Sequence, residues 1–223
     1  MMPAKISTLF FDLDDTLYPA SCGLWRDIRA RIDIYMREQL AIPEERVMPL
    51  RRHYYETYGT ALRGLEREYP LDKADFLAFV HDLPLGEYIA PDPGLRAVIQ
   101  AIPARKFIFT NADSRHAERV LRALELEDCF EGVIDILAVS PYCKPMPESF
   151  EIALRAAGNP DPRRCVILDD MPRTTIAARQ AGMFSILVSE NGAQSSEADA
   201  VLHDWTQLPA LLEQAGARSK DES

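Results

Sequence analysis

Asp12 and Asp14 stand two residues apart in Phe11-Asp12-Leu13-Asp14-Asp15-Thr16, directly behind an apolar run that reads as a buried strand. Acidic residues often end strands and cap turns. Two carboxylates at a buried strand end, however, repel one another and lose hydration unless something positive neutralises them. A divalent cation with oxygen ligands is the natural neutraliser. A second acidic pair, Asp169-Asp170, follows the apolar run Cys165-Val166-Ile167-Leu168, although Asp170 could equally be a helix-entry residue. Thr110-Asn111 follows Lys106-Phe107-Ile108-Phe109, and Asn111-Ala112-Asp113-Ser114 is also a sensible helix-capping sequence. Lys144 lies in Tyr142-Cys143-Lys144-Pro145, ahead of a helical pattern; a lone lysine is usually just solvated. The combination decides. A hydroxyl, a lysine and several carboxylates just past the strand ends of one open parallel sheet would line one crevice, where ligands bind. That set suits a phosphate held beside Mg²⁺.

The elements that must position these groups fall into three parts. Ile6 to Asp12 is β-branched and aromatic enough for a strand buried on both faces. From Tyr18 to Tyr88 the pattern is helical, with Leu24, Ile28, Ile32, Tyr35, Met36 and Leu40 at helical spacing. Pro43 sits where a first-turn proline belongs, and the stripe Val47, Leu50, Tyr54, Tyr58 ends at Gly59. Two shorter helices are expected over Ala61–Glu68 and from the N-cap Asp72 to Val80. From Pro91 onward helix and strand alternate. Helices are predicted at 94–102, 114–124, 148–157, 175–181 and 207–214, and strands at 106–110, 133–137, 165–169, 185–188 and 200–202. Such alternation predicts an α/β fold with a doubly wound, Rossmann-like parallel sheet. Its core would comprise residues 1–17 and 89–223, interrupted after the first strand by a helical-bundle cap of residues 18–88. Residues 192–196 read as a loop and 217–223 as a frayed polar tail.

Composition narrows the partners. The 223 residues, 47 % hydrophobic and 27 % charged, match an ordinary globular chain. A net charge of −10 without any Lys/Arg-rich block argues against binding a nucleic-acid polymer, which needs concentrated positive charge. No apolar run approaches the roughly 18 residues that span a bilayer, and the N-terminus lacks a signal-peptide pattern. Cys22, Cys129, Cys143 and Cys165 show no metal-ligand spacing, so reduced thiols and a cytoplasmic location are expected. Nothing in the pattern speaks to oligomeric state. Ten basic against twelve acidic residues in 18–88 make the cap less repulsive to an anionic substrate than the core.

These four segments resemble the four motifs of the haloacid dehalogenase-like hydrolases: Asp12–Thr16 (DLDDT), the strand-ending Thr110, Lys144, and Asp169-Asp170. The wording FDLDDTLYP, YYETYGTALRGL, FTNADSRHAERVL and DDMPRT is similar to the pyrimidine 5′-nucleotidase branch. The resemblance implies a Mg²⁺-dependent phosphatase. Asp12 would attack phosphorus and become an aspartyl-phosphate. Asp14 would protonate the leaving oxygen and then activate water. Thr110, Asn111 and Lys144 would hold the phosphate. Mg²⁺ would be bound by the side chains of Asp12 and Asp170 and the main-chain carbonyl of Asp14, with Asp169 orienting Lys144. The chain departs from the family at Thr174, where Asp or Asn usually stands four residues after the metal aspartate.

The expected substrate is a small phosphomonoester, a pyrimidine nucleoside 5′-monophosphate by the wording of the cap. Phosphoglycolate or a sugar phosphate is the alternative within the same chemistry, and a non-catalytic phosphate-binding regulator is the alternative outside it. A haloacid dehalogenase would need neither Asp14 nor Asp170. His53, His81, His116 and His203 have no role in the mechanism the motifs imply. Arg51, Arg52 and Arg63 read as solvated helix residues. The aromatic stretch from His53 to Tyr58 reads as bundle core, with stacking on a base as the alternative.

Overall fold

The computed structural model describes residues 6–189 and 196–218, so most of the loop and tail expected at 192–196 and 217–223 lies outside the described residues. In chain order the elements are β1 (Thr8–Phe11), α1 (Leu24–Glu38), α2 (Glu44–Tyr58), α3 (Ala61–Glu68), α4 (Lys73–Val80), α5 (Pro93–Ala101), β2 (Arg105–Phe109), α6 (Ser114–Ala123), β3 (Gly132–Ile134), α7 (Pro147–Ala156), β4 (Cys165–Asp169), α8 (Pro172–Gln180), β5 (Phe184–Val188), β6 (Ala200–Leu202) and α9 (Leu208–Arg218). The six strands form one parallel sheet in the order β3-β2-β1-β4-β5-β6, the doubly wound arrangement expected. The chain reverses its direction of travel across the sheet at β1, and ligands bind at the carboxyl ends of the strands beside such a point.

Alternation along the strands builds two cores. Leu9, Phe11, Ile108, Val166, Leu168 and Ile186 share one apolar cluster with Ile99 of α5, Val120 of α6 and Leu208 of α9. Phe10, Phe107, Phe109 and Ile167 face the other way, against Phe150 and Ala153 of α7 and Ala178 of α8. Every residue of β1 is buried, as a central parallel strand covered on both faces requires. β3 is shorter than the predicted 133–137. Asp135 leaves the ladder because its carboxylate accepts from the Ser114 N–H and hydroxyl and from the Ala138 N–H. α8 begins three residues before the predicted 175, at Pro172, and Pro43 is the residue before α2 rather than inside its first turn.

Between β1 and α5 the chain forms a helical insertion with no strand. The buried face of α1 is the predicted stripe of Leu24, Ile28, Ile32, Tyr35 and Met36. Tyr54 of α2 is fully buried against α3, where a Cβ on Gly64 would lie 2.0 Å from its ring. Only glycine permits that approach. Arg63, expected to be solvated, is instead 3 % exposed, and its guanidinium donates to the carbonyls of Tyr142 and Ile136. A buried cation with this many acceptors fastens α3 to the loop that carries Lys144. Arg51 and Arg52 pair with Asp33 and Glu56. Arg119 of α6 adds a second tie, donating to the carbonyls of His81 and Leu83 at 2.7 Å each, and Arg173 of α8 a third, donating to those of Tyr55 and Gly59. Among the described residues no helix is long and apolar enough to cross a membrane.

Candidate active site

The register of β1 with Ile108 of β2 and Leu168 of β4 sets Asp12, Thr110 and Asp169 along one rim. The Asp12 N–H extends the ladder onto the Leu168 carbonyl at 2.8 Å. Beyond Asp12 the chain turns tightly. Asp15 takes a left-handed φ of 56°, which a short polar side chain tolerates, and the Leu17 N–H returns to the Leu13 carbonyl at 3.0 Å.

Lys144, from the loop between β3 and α7, reaches into this rim. Its Nζ donates to Asp12 Oδ1 at 2.7 Å and to Asp169 Oδ2 at 2.6 Å. The three groups are 3 %, 8 % and 1 % exposed. Burial alone would lower the lysine pKa, but the two carboxylates outweigh it and hold the ammonium charged. Asp169 gives its other oxygen to the Met171 N–H at 2.9 Å, so it braces Lys144. Asn111, expected on the phosphate, has its side chain engaged elsewhere: Nδ2 donates to the Lys144 carbonyl and Oδ1 accepts from the Lys144 N–H, both at 2.9 Å. It staples the lysine loop to the end of β2, which leaves its main-chain N–H as the group that can meet a phosphate. Thr110 Oγ1 accepts from the Ala112 N–H at 3.0 Å and keeps its hydroxyl proton to donate.

Negative charge exceeds what one lysine can balance. Burial raises the Asp12 carboxyl to about 7, against the pull of Lys144 and with repulsion from Asp169 adding to it. Burial and then repulsion by Asp12 and Asp169 push Asp170 up to about 9. Oxygens of Asp12, Asp169 and Asp170 all lie within 4.8 Å of one another. Hard oxygen donors crowded in this way fit a divalent cation such as Mg²⁺. Asp169 has one oxygen on the Lys144 ammonium and the other on the Met171 N–H, whereas Asp12 Oδ2 and Asp170 Oδ1 meet only the long contacts of the Thr16 hydroxyl, at 3.4 and 3.5 Å, so Asp12 and Asp170 are the side chains more open to a cation. The Asp14 side chain lies outside that carboxylate cluster.

The Asp14 side chain meets residues that sequence reasoning set aside. Its Oδ1 accepts from Tyr18 Oη at 2.6 Å and lies 2.8 Å from His116 Nε2. Burial would raise the Asp14 pKa, but the His116 interaction, with help from Tyr18, overturns it and lowers the carboxyl to about 2. His116 is fully buried on α6, stacked on His81 with ring centroids 4.1 Å apart and planes 16° apart. Of the four histidines, His116 and His81 thus stand beside the Asp14 carboxylate, a placement their spacing in the sequence did not announce, whereas His53 lies beside Thr57 and His203 beside the Ser189 carbonyl. One signal in the sequence pointed there: His116 falls on the same face of α6 as Ala117, Val120 and Leu121. A titratable side chain in an apolar stripe asks for a buried partner.

A cavity of about 470 Å³ opens over the rim, lined by Asp12, Asp14, Thr110, Lys144 and Asp170 on one side and by the insertion on the other. The insertion contributes Trp25, Arg29, Arg51 and Tyr55. Tyr55 is the exposed tyrosine of the aromatic stretch, its ring 3.5 Å from the Arg173 guanidinium carbon, whereas Tyr54 is bundle core. Thr174 is also in the wall.

Lys144→Ala removes the one cation between two buried carboxylates. It is expected to destabilise the fold by about 3–5 kcal/mol and to weaken inhibition by orthovanadate at least roughly tenfold. Thermal unfolding and vanadate titration of the variant measure both. Wild-type vanadate affinity in the variant would remove Lys144 from the site.

The haloacid dehalogenase-like hydrolase family model matches residues 6–182 of the chain. Two characterised relatives align over most of it. Phosphate metabolism protein 8 of Saccharomyces cerevisiae is 25 % identical, over 95 % of this chain and 74 % of that protein. Phosphoglycolate phosphatase of Caulobacter vibrioides is 28 % identical, over 91 % and 89 %. Among solved structures, CbbY from Rhodobacter sphaeroides in complex with phosphate superposes with a TM-score of 0.66 at 22 % identity, covering 91 % of this chain and 96 % of that one, a likeness of fold.

Proposed function

The chain belongs to the haloacid dehalogenase-like hydrolases, and we propose that it is a Mg²⁺-dependent phosphomonoesterase that works through an aspartyl-phosphate on Asp12, with pyrimidine nucleoside 5′-monophosphates as substrates. The observation that carries the reading is the pairing of Asp12 with Lys144 at the rim where Thr110, Asp169 and Asp170 converge. Lys144 donates to Oδ1 of Asp12 and the Thr16 hydroxyl to Oδ2, so the carboxylate that would attack is held from both sides. Attack at phosphorus forms an acyl-phosphate bond and breaks the ester P–O bond. Thr110 and Lys144 take the phosphoryl oxygens, and Asp14, which His116 and Tyr18 hold ionised before substrate binds, takes up a proton as the phosphate dianion arrives beside it and passes that proton to the departing oxygen. Asp14 then takes a proton from the water that cleaves the acyl-phosphate and frees Asp12 and inorganic phosphate. Bound between Asp12 and Asp170, Mg²⁺ would supply positive charge to the phosphoryl group. A phosphate dianion repels nucleophiles, so neutralisation and positioning are most of the catalysis.

The rim binds only the phosphoryl group, so selectivity falls to the insertion acting as a cap. Trp25 and Tyr55 offer faces for a base, and Arg29 and Arg51 donors for its edge. The pyrimidine choice rests on the similarity of FDLDDTLYP, FTNADSRHAERVL and their neighbours to the pyrimidine nucleotidases. The relationship to the Caulobacter vibrioides phosphatase favours phosphoglycolate as the second reading. Ranking kcat/KM for UMP, CMP, AMP, GMP and phosphoglycolate at one Mg²⁺ concentration decides between them. UMP and CMP are expected to lead by about tenfold or more over the purine nucleotides, the lower end of what pocket size and shape discriminate. A lead for phosphoglycolate or a purine nucleotide would overturn the substrate and leave the chemistry standing.

A further inference from the structure

Asp14 is held from two directions. Tyr18 lies at the start of the insertion, and His116 belongs to α6 of the core. Both place their polar atom on Oδ1, and no described residue takes Oδ2. The carboxylate is thereby fixed about its last torsion, with Oδ2 the only oxygen left to exchange a proton. His116 is in turn fixed by its surroundings. Its main-chain N–H donates to Asp113 Oδ1 at 3.0 Å in the first turn of α6, and its ring lies flat on His81. His81 is the residue that closes α4, so this ring belongs to the insertion. Its Nδ1 lies 3.4 Å from the same Asp113 oxygen, and its carbonyl accepts from Arg119 of α6. A buried imidazole face thus passes from insertion to core directly behind the proton-handling carboxylate.

We propose that His116 is a positioning residue for Asp14, and that His81 completes it only while the helical insertion is seated on the core. The inference rests on the reading of Asp14 as the acid and base of phosphoester hydrolysis. Seating the insertion would then do two things at once: enclose the substrate and set the orientation of the group that protonates its leaving oxygen. With the insertion lifted, His116 loses the ring behind it and Asp14 loses Tyr18. Turnover in a half-closed site, where water could intercept the chemistry, is suppressed.

The test compares phenyl phosphate, whose leaving group needs a proton, with p-nitrophenyl phosphate, which is close in shape and whose phenolate departs unaided. For His116→Ala, kcat/KM on phenyl phosphate is expected to fall on the order of 10- to 100-fold, as misplacement of an acid–base group does, and on p-nitrophenyl phosphate less than about threefold. Inhibition by orthovanadate, held by Thr110 and Lys144, stays within about twofold. His116→Gln, which keeps an N–H near the position of Nε2, recovers most of the loss. His81→Ala moves the two substrates apart in the same direction by a smaller factor. Equal losses on both substrates, or no recovery with Gln, would make His116 a packing residue and overturn the proposal. Unchanged phenyl phosphate hydrolysis in His116→Ala would overturn it too. If His116→Ala melts below the assay temperature, Tyr18→Phe removes the other donor without changing volume and must show the same separation. A wild-type enzyme that hydrolyses neither ester in Mg²⁺ would instead overturn the phosphatase reading, and this inference with it.

Discussion

Asp12→Asn is expected to bring hydrolysis of every phosphomonoester to background, a loss on the order of 10⁴-fold or more, while the protein melts at or above the wild-type temperature. The two halves of this expectation have one cause. On the proposed route Asp12 supplies the oxygen that bonds to phosphorus, and an amide of the same shape is a poor nucleophile. It is also a carboxylate whose burial costs more than Lys144 returns, as its rise to about 7 records. Neutralising it relieves repulsion from Asp169 and Asp14, and Lys144 keeps its bond to Asp169 at 2.6 Å. Phosphorylated-enzyme trapping and thermal unfolding check the two halves separately. Turnover of Asp12→Asn near the wild-type rate would rule out the covalent route through this residue.

The parts of the site that sequence reasoning reached are those whose signal is local. Asp12, Asp169 and Asp170 follow uninterrupted apolar runs, so a carboxylate there has to stand at a strand end, and parallel strands in one sheet bring their ends together. Lys144 and Asn111 were reached by order and context, but the task of the Asn111 side chain was not, because its two bonds to Lys144 join residues 33 apart. His116 lies 102 residues from Asp14, and His81 becomes relevant only through a ring stack between insertion and core. Neither has a spacing that announces it. Arg63 illustrates the same difficulty. In the sequence it is one more arginine on an amphipathic helix, and its burial is decided by the carbonyls of residues 136 and 142, which irregular backbone leaves without ladder partners. β3 was overextended for a related reason: Val133 to Leu137 looks like a strand until the Asp135 carboxylate finds the start of α6.

Metal-free protein is expected to lose stability as pH rises from about 4 to 9 and to regain it on addition of Mg²⁺, with the gain largest at the alkaline end. The sign follows from the direction of the shifts. Asp12 and Asp170 bind protons more tightly folded than unfolded, with folded values of about 7 and 9 against an ordinary 3.8. Stability from these groups is complete below the ordinary value and is lost as pH climbs through the folded ones. Each unit of separation is worth about 1.4 kcal/mol, so the two carboxylates together place at least a few kcal/mol under this control. That is roughly 10 °C of melting temperature for a chain of this size. Asp14 runs the other way: its folded value of about 2 gives stability that is present above the ordinary carboxylate range and lost as pH falls toward 2. The two windows do not overlap, so a melting profile across pH separates them. A cation between Asp12 and Asp170 competes with their protons, which makes its stabilising effect grow with pH. EDTA should accordingly stop turnover, and excess Mg²⁺ should restore it. Asp170→Asn should flatten the alkaline decline, abolish most of the Mg²⁺-dependent rise in melting temperature, and leave activity at a small fraction of wild type. A melting temperature indifferent to Mg²⁺ at pH 9, or full activity in excess EDTA, would remove the metal from this cluster and return the burden of charge neutralisation to Lys144 alone.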